Sequence, residues 1–314
     1  MFLCVSLNPA IDRRLKMDQL QVGKVNRVCQ MREAPGGKGA HVAMVLRTLG
    51  AAPLWLGFAG GMTGSMLIEG LRQMEIQAED VPMRGKTRMN LEILEAGQRV
   101  TEILEPGPEL SIGELEQFQN SYERILAGAG NLVTVILSGS LPPGAPRDYY
   151  ATLIRLARKF RTRVFLDTSG EPLRSGLAAD PDFVKPNQDE AASWSGRGID
   201  GIHSAREVLQ QMLEKGAEAG AISLGCEGLV WGSRTERETL VARIPKQSSP
   251  SCVGSGDATL AGFAFAAEKG WSPQESVRIA AACGVANCLA DGPGGARAAD
   301  IARLKQEIHI ETLL

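Results

Sequence analysis

The chain has 314 residues, 44% hydrophobic and 22% charged, which allows one large α/β domain or two modest ones with a sizeable core. Its formal net charge is −2 with acids and bases interspersed, arguing against a nucleic-acid-binding face, which needs clustered Lys and Arg. Aromatic residues make up only 5%, so base-stacking platforms are not expected either.

The N-terminus, "MFLCVSLNPAIDRR", is a short apolar run broken at Asn8-Pro9 with no basic region before it. It reads as a first strand rather than a secretory signal. Residues 15–33, "LKMDQLQVGKVNRVCQMRE", alternate polar and apolar side chains around a turn at Gly23. They predict a hairpin with one wet face. "APGGKGAHVAMVLRTLGA" (34–51) is a glycine loop feeding a helix, with Val42, Val45, Leu46 and Leu49 on one face and Gly50 as its stop. Residues 86–105 repeat the wet-hairpin pattern about Ala96-Gly97.

From there the chain alternates. "NLVTVILSGS" (131–140), "RVFLDTS" (163–169) and "GAISLG" (220–225) read as buried strands. "PRDYYATLIRLARKF" (146–160), "HSAREVLQQMLEKG" (203–216) and "SPQESVRIAAACGVANCLADG" (272–292) read as helices, the last opened by a Ser-Pro cap and buried on several faces. This order predicts an α/β fold, a mostly parallel sheet with helices on both faces. The chain reads as a single domain over 1–314, with a discontinuous β lid from about 13–34 and 86–105.

No apolar run reaches the ~18 residues of a membrane span. Six cysteines without a C-x-x-C pair, and three histidines, leave no zinc pattern. Reduced thiols in a cytoplasmic protein are expected, with no membrane or nucleic-acid partner.

Ligands of an open parallel sheet sit beyond the carboxyl ends of its strands. Residues 6–12, 138–144, 167–169 and 223–228 would lie there, joined by the loop at 254–257. In "VGSGDA", glycines before a helix let backbone N–H groups meet an anion, with Asp257 beside it. Asp257 could equally be an ordinary N-cap. There is neither a third glycine at dinucleotide-fingerprint spacing nor a G-x-x-x-x-G-K-[ST] loop. Around Lys38 the glycines make either a tight turn or a ligand loop. In "VKPNQDE", Asn187 and Glu190 offer hard oxygens for Mg²⁺, directly or through water. The same pair spells a capping box, and one reading does not exclude the other. Arg27, Lys38 and Arg88 are candidates to hold an anionic substrate.

"GGKGAHVAMVLRTLG" and "VGSGDATLAGF" resemble the two signatures of the phosphofructokinase-B, ribokinase-like sugar kinases. "SLNPAIDR", "RVTEILEPGPEL", "LSGSLPPG" and "VKPNQDEA" look like the tagatose-6-phosphate kinase and 1-phosphofructokinase branch. These six stretches fall in the expected order from Ser6 to about Gly262. The resemblance implies a ribokinase-like fold with a β lid, often used for homodimerisation. It implies transfer of phosphate from ATP, with Mg²⁺, to a hydroxyl of a sugar phosphate, and leaves a monovalent-cation requirement open.

By motif, Asp257 is then the base, and Gly254, Ser255 and Gly256 the anion hole. Asp12, Gly36, Gly37 and Lys38 face the sugar, while Arg27, Arg88 and Ser138 hold its phosphate. Lys185, Asn187 and Glu190 belong to the nucleotide and Mg²⁺ side, residues 223–228 (Ser223, Gly225 and Gly228 among them) to the ATP loop, and Asn287 to the adenosine end. The acceptor implied is a ketohexose phosphate: tagatose 6-phosphate, fructose 6-phosphate or fructose 1-phosphate. "VGSGDAT" leans to the tagatose type. A kinase of an unphosphorylated sugar or nucleoside, and a non-catalytic sensor, are the other readings. One position departs from the family pattern: His41 stands where G-G-K-G-x-N has Asn. It either reads the sugar or is a packing substitution.

Overall fold

The computed structural model describes residues 1–97, 99–130, 132–236, 238–246 and 251–313. Gln98 in the second hairpin, Asn131 at the start of an expected strand, and Pro250 before the Gly254 loop lie outside them.

The chain opens with β1 (Phe2–Ser6), β2 (Ala10–Met17), β3 (Gln30–Gly36) and α1 (Lys38–Thr48). Next come β4 (Pro53–Ala59), α2 (Gly61–Gln73), β5 (Gln77–Pro82), β6 (Arg88–Glu95), β7 (Val100–Leu104) and α3 (Ile112–Gly128). The middle runs β8 (Val133–Ser138), α4 (Tyr149–Ala157), β9 (Thr162–Asp167), α5 (Gly170–Leu177), β10 (Phe183–Val184), α6 (Gln188–Ser195), α7 (Ile202–Glu214) and β11 (Ala219–Ser223). After β12 (Leu229–Ser233) and β13 (Thr239–Arg243) come α8 (Ser255–Lys269), α9 (Pro273–Cys288), α10 (Ala298–Glu307) and β14 (His309–Leu313).

The large sheet has the order β14-β13-β12-β11-β10-β9-β8-β1-β4-β5. It is parallel from β5 to β11 and antiparallel from β11 to β14. Its centre shows why the strands are apolar throughout. In β1 every residue is buried, and the two-residue side-chain period sends Phe2 and Cys4 to one core, Leu3 and Val5 to the other. The first core packs against α1, α8 and α9, the second against α3, α4 and α7.

The wet hairpins form a second sheet, ordered β3-β2-β6-β7. β2 pairs with β3 antiparallel and with β6 in parallel. The first hairpin extends beyond the expected 13–34, because Ala10 pairs with Gly36 and Ile11 with Pro35. In the sequence, residues 6–12 read as a segment beyond the carboxyl end of the first strand. Val22, Val25, Met31, Ile103 and Leu104 are exposed on this sheet and its connections.

The small side chains of α8 have a packing cause. The helix is buried along most of its length and lies so close to α9 that a Cβ at Gly262 would stand 2.6 Å from Ala280 Cα. Gly262→Val should therefore lower stability by about 3 kcal/mol, because two helix backbones would have to part. A loss of unfolding free energy below about 1 kcal/mol, read from denaturant unfolding, would contradict that packing.

Candidate active site

A cleft of about 1090 Å³ opens where the carboxyl ends of the parallel strands meet the second sheet. α8 points its N-terminus into it. Gly254 is the N-cap, in the left-handed conformation. Asp257 is therefore the third helical residue and not the cap, which removes the simplest alternative for it. Ser255 and Gly256 both line the cleft; the Ser255 N–H donates to the Cys252 carbonyl at 3.1 Å, while the Gly256 N–H, in the first turn, has no partner within the helix. A Cβ at Gly256 would lie 3.1 Å from Lys185 Nζ, so a buried ammonium stands beside the helix dipole's positive end.

The Asp257 carboxylate is 5% exposed. Its Oδ2 accepts a hydrogen bond from His41 Nδ1 at 2.7 Å; Oδ1 accepts none among the described residues. On the other edge of the imidazole, Nε2 lies 2.7 Å from Asp12 Oδ2. Asp12 Oδ1 accepts from Asn90 Nδ2 at 2.9 Å. Burial alone would raise the Asp12 carboxyl, but His41, Asn90 and Arg88 outweigh it and hold it below the usual range. Gly36 works from behind: a Cβ there would fall 2.3 Å from the Asp12 carboxyl carbon. Gly36 thus seats Asp12 and does not line the cleft, whereas Gly37 does.

Across the cleft, Lys38 is the first residue of α1. Its ammonium lies 3.1 Å from Asp167 Oδ1 and 3.5 Å from Glu190 Oε1. Burial would lower the lysine, yet Asp167, Glu190 and Asp257 together hold it above its ordinary value, firmly charged. Asp167 is fully buried, with Lys185 Nζ 3.4 Å from its Oδ2. Burial would push this carboxyl up as well; Lys185 and Lys38 bring it down. In the sequence Asp167 stands at a strand end with no part assigned to it. The signal was "LDTS" closing an apolar strand, since a carboxylate in so dry a place needs cations. By motif Lys38 goes with the sugar and Glu190 with the nucleotide, and the structure brings the two together.

Asn187 and Glu190 do form the capping box of α6: Glu190 N donates to Asn187 Oδ1, and Asn187 N to Glu190 Oε2, both at 2.8 Å. Glu190 Oε1 is left toward the cleft and Lys38. Among the described residues there is no cluster of three or more acidic, His or Cys side chains able to hold a metal. Ser223 is bridged to Asn187, and with Gly225 and Gly228 it lines the far end of the cleft, near apolar Leu229, Ile244 and Val285.

Arg88 reaches in from β6. Its Nε and Nη2 donate to the Asn8 carbonyl at 3.2 and 3.0 Å, and Nη1 to the Glu105 carbonyl at 2.8 Å. It makes no salt bridge among the described residues, so its charge faces the cleft without a paired carboxylate. The Ser138 hydroxyl, at the end of β8, is buried along the same cleft with no hydrogen-bond partner among the described residues.

Two expected residues stand elsewhere. Arg27 is exposed in the β2–β3 connection, outside the cleft of its own chain. Asn287 is 2% exposed, and its amide is spent inside the protein. It donates to the Val253 carbonyl and accepts from Gly294 N, both at 2.8 Å, tying down the loop before α8.

A helix N-terminus, a buried carboxylate and two lysines around one cleft of a ribokinase-like sheet define a kinase-type enzyme. The pfkB family carbohydrate kinase model matches residues 2–298, and the chain belongs to that family. Among solved structures it is similar to phosphofructokinase-2 from Escherichia coli in complex with substrates and products. The identity there is 27% over 98% of both chains, with a TM-score of 0.89. The same E. coli protein has been solved with potassium and in a tetrameric inhibited form. A Thermotoga maritima protein described as a possible 1-phosphofructokinase is 26% identical over 100% of this chain and 99% of its own, TM-score 0.85. The ribokinase of Arabidopsis thaliana, at 19% identity and TM-score 0.74 over 97% of this chain and 98% of its own, shares the fold.

Proposed function

We propose that the chain transfers the γ-phosphoryl group of ATP to a hydroxyl of a ketohexose phosphate. Tagatose 6-phosphate, fructose 6-phosphate and fructose 1-phosphate are the acceptors that fit the reading. The observation that carries it is Arg88. A guanidinium held by main-chain carbonyls, with no carboxylate paired to it, is a seat for an anionic substituent of the acceptor, and the unpartnered Ser138 hydroxyl is a further donor. A charge-assisted hydrogen bond there contributes about 1.5–3 kcal/mol.

The roles follow from position. Asp257 Oδ1 takes the acceptor's hydroxyl proton as the new bond forms. The N–H groups at Gly254 and Gly256, with Lys185, neutralise the moving phosphoryl, and Ser255, its N–H held by the Cys252 carbonyl, shapes that turn, since this chemistry needs positioning and charge more than covalent help. Lys38 and Asp167 brace that wall. Residues Ser223, Gly225 and Gly228, with the apolar Leu229, Ile244 and Val285 beyond, suit the nucleotide. The donors fit Mg²⁺ held through water: Glu190 Oε1 and the Asn187 side chain are hard oxygens, and Mg²⁺ commonly keeps several waters with one or two carboxylates. When bound, the ion would draw negative charge off the phosphates. A monovalent cation belongs to the same proposal, supported by the potassium complex of the E. coli relative.

The second sheet is proposed as a lid on a single kinase unit, and as the contact of a homodimer. Its exposed Val22, Val25, Met31 and Ile103 support that role. A part for Arg27 in phosphate binding would then require the second copy.

The test is ADP release with Mg-ATP over those three ketohexose phosphates, free fructose and free ribose. Turnover on one phosphorylated ketohexose is expected to exceed that on either free sugar. Activity confined to the free sugars would overturn the role given to Arg88.

A further inference from the structure

His41 occupies a position the two-carboxylate site could not leave to a neutral group. It is 5% exposed on α1, and each ring nitrogen lies 2.7 Å from a different carboxylate oxygen, Asp12 on β2 and Asp257 on α8. A neutral imidazole has one N–H, so its bare nitrogen would face a carboxylate oxygen lone pair to lone pair. The imidazolium donates to both. With both nitrogens spent on the protein, no ring N–H remains to read a sugar hydroxyl.

From this geometry we infer that His41, as a cation, is a positioning residue that locks Asp12 and Asp257 into one rigid array, leaving Asp257 Oδ1 aimed at the acceptor hydroxyl. The inference rests on the kinase reading above. It assigns His41 an effect on the substrate that passes entirely through the two carboxylates.

The surroundings favour the charged ring. Besides Asp12 and Asp257, Glu102 on β7 acts on it with the same sign. Against it stand Lys38 on its own helix and Arg88 beyond Asp12, each already engaged with carboxylates or carbonyls. The backbone of Gly294 closes over its Cα. Burial would lower the ring's affinity for a proton, but Asp12 and Asp257 outweigh it and push it from 6.5 up to about 10. The sign is that of a group gaining partners on folding. Its contribution to stability is complete below the ordinary histidine value and is lost as pH rises through about 10.

An asparagine carries both donors on one nitrogen and cannot span carboxylates on opposite edges of a ring. His41→Asn should therefore tether one carboxylate only, and His41→Leu neither. The expected loss in kcat for His41→Leu is about 10²-fold, the scale of a reacting group displaced by roughly an ångström, with KM for ATP changed by less than about 3-fold. His41→Asn should recover part of kcat but lack the fall in activity near pH 10 that is expected of the wild type. Ring ¹⁵N NMR of the ligand-free protein reads the bridge without activity, and with three histidines the spectrum is assignable by variant. At pH 8 one histidine should have both nitrogens protonated, titrate near pH 10, and vanish in His41→Asn.

A neutral His41 ring at pH 8, or a folded His41→Leu enzyme within about 3-fold of wild-type kcat, overturns the inference alone. If His41→Leu does not fold, the alkaline limb of His41→Asn and the NMR titration decide in its place. A charged, bridged ring in a protein inactive on every sugar overturns the catalytic part together with the kinase reading.

Discussion

Asp257→Asn is expected to lower kcat by about 10²-fold or more while KM for ATP and for the sugar phosphate stays within a few-fold. The substitution is nearly isosteric, and the amide oxygen can still accept from His41 Nδ1, where the carboxylate does so now at 2.7 Å. The atom facing the cleft becomes an N–H donor that cannot take up a proton. Ground-state contacts therefore survive and only the transition state loses its acceptor. Near-normal turnover in a folded Asp257→Asn protein would remove Asp257 from the chemistry.

Arg88→Ala should act on the other parameter. It is expected to raise KM for the ketohexose phosphate by about 10- to 100-fold, the equivalent of one charge-assisted contact. KM for ATP should not follow, because the guanidinium sits on the second sheet, anchored to the Asn8 and Glu105 carbonyls. Arg88→Lys keeps the charge but not the planar fork, and should fall between the two. Slow turnover of the matching free sugar should be unaffected by Arg88→Ala. An equal loss on the phosphorylated and free sugars would mean that Arg88 supports the loop rather than the substrate.

Much of this was legible in the sequence where the signal is local. The helical spacings after residues 146 and 203, the second hairpin and the capping box at Asn187 each depend on neighbours in the chain, and they appear as expected; of the first hairpin, expected over 15–33 about Gly23, only the ends are strand, because residues 18–29 form a long connection. The Gly254 loop feeding a helix also appears as expected, although only the structure shows that Asp257 lies three residues past the cap position. What the sequence could not show were contacts between distant segments. Asp12, His41 and Asp257 are separated by up to 245 residues in number, about three-quarters of the chain, and nothing in "GGKGAH" says that its histidine lies between two acids. Asp167 reads as a strand end in the sequence, and only the fold brings Lys38 of α1 and Lys185 of the segment after β10 to it. Asn287 and Arg27 were placed by motif, and the fold put one into the support of a loop and the other on an exposed connection.

The most direct measurement is ³¹P NMR of the wild-type protein with Mg-ATP and each ketohexose phosphate in turn. The proposed function predicts one sugar bisphosphate formed for every ADP, with the new phosphoester appearing only when the acceptor is present. ADP accompanied by inorganic phosphate, or no bisphosphate from any of the three acceptors, would contradict it.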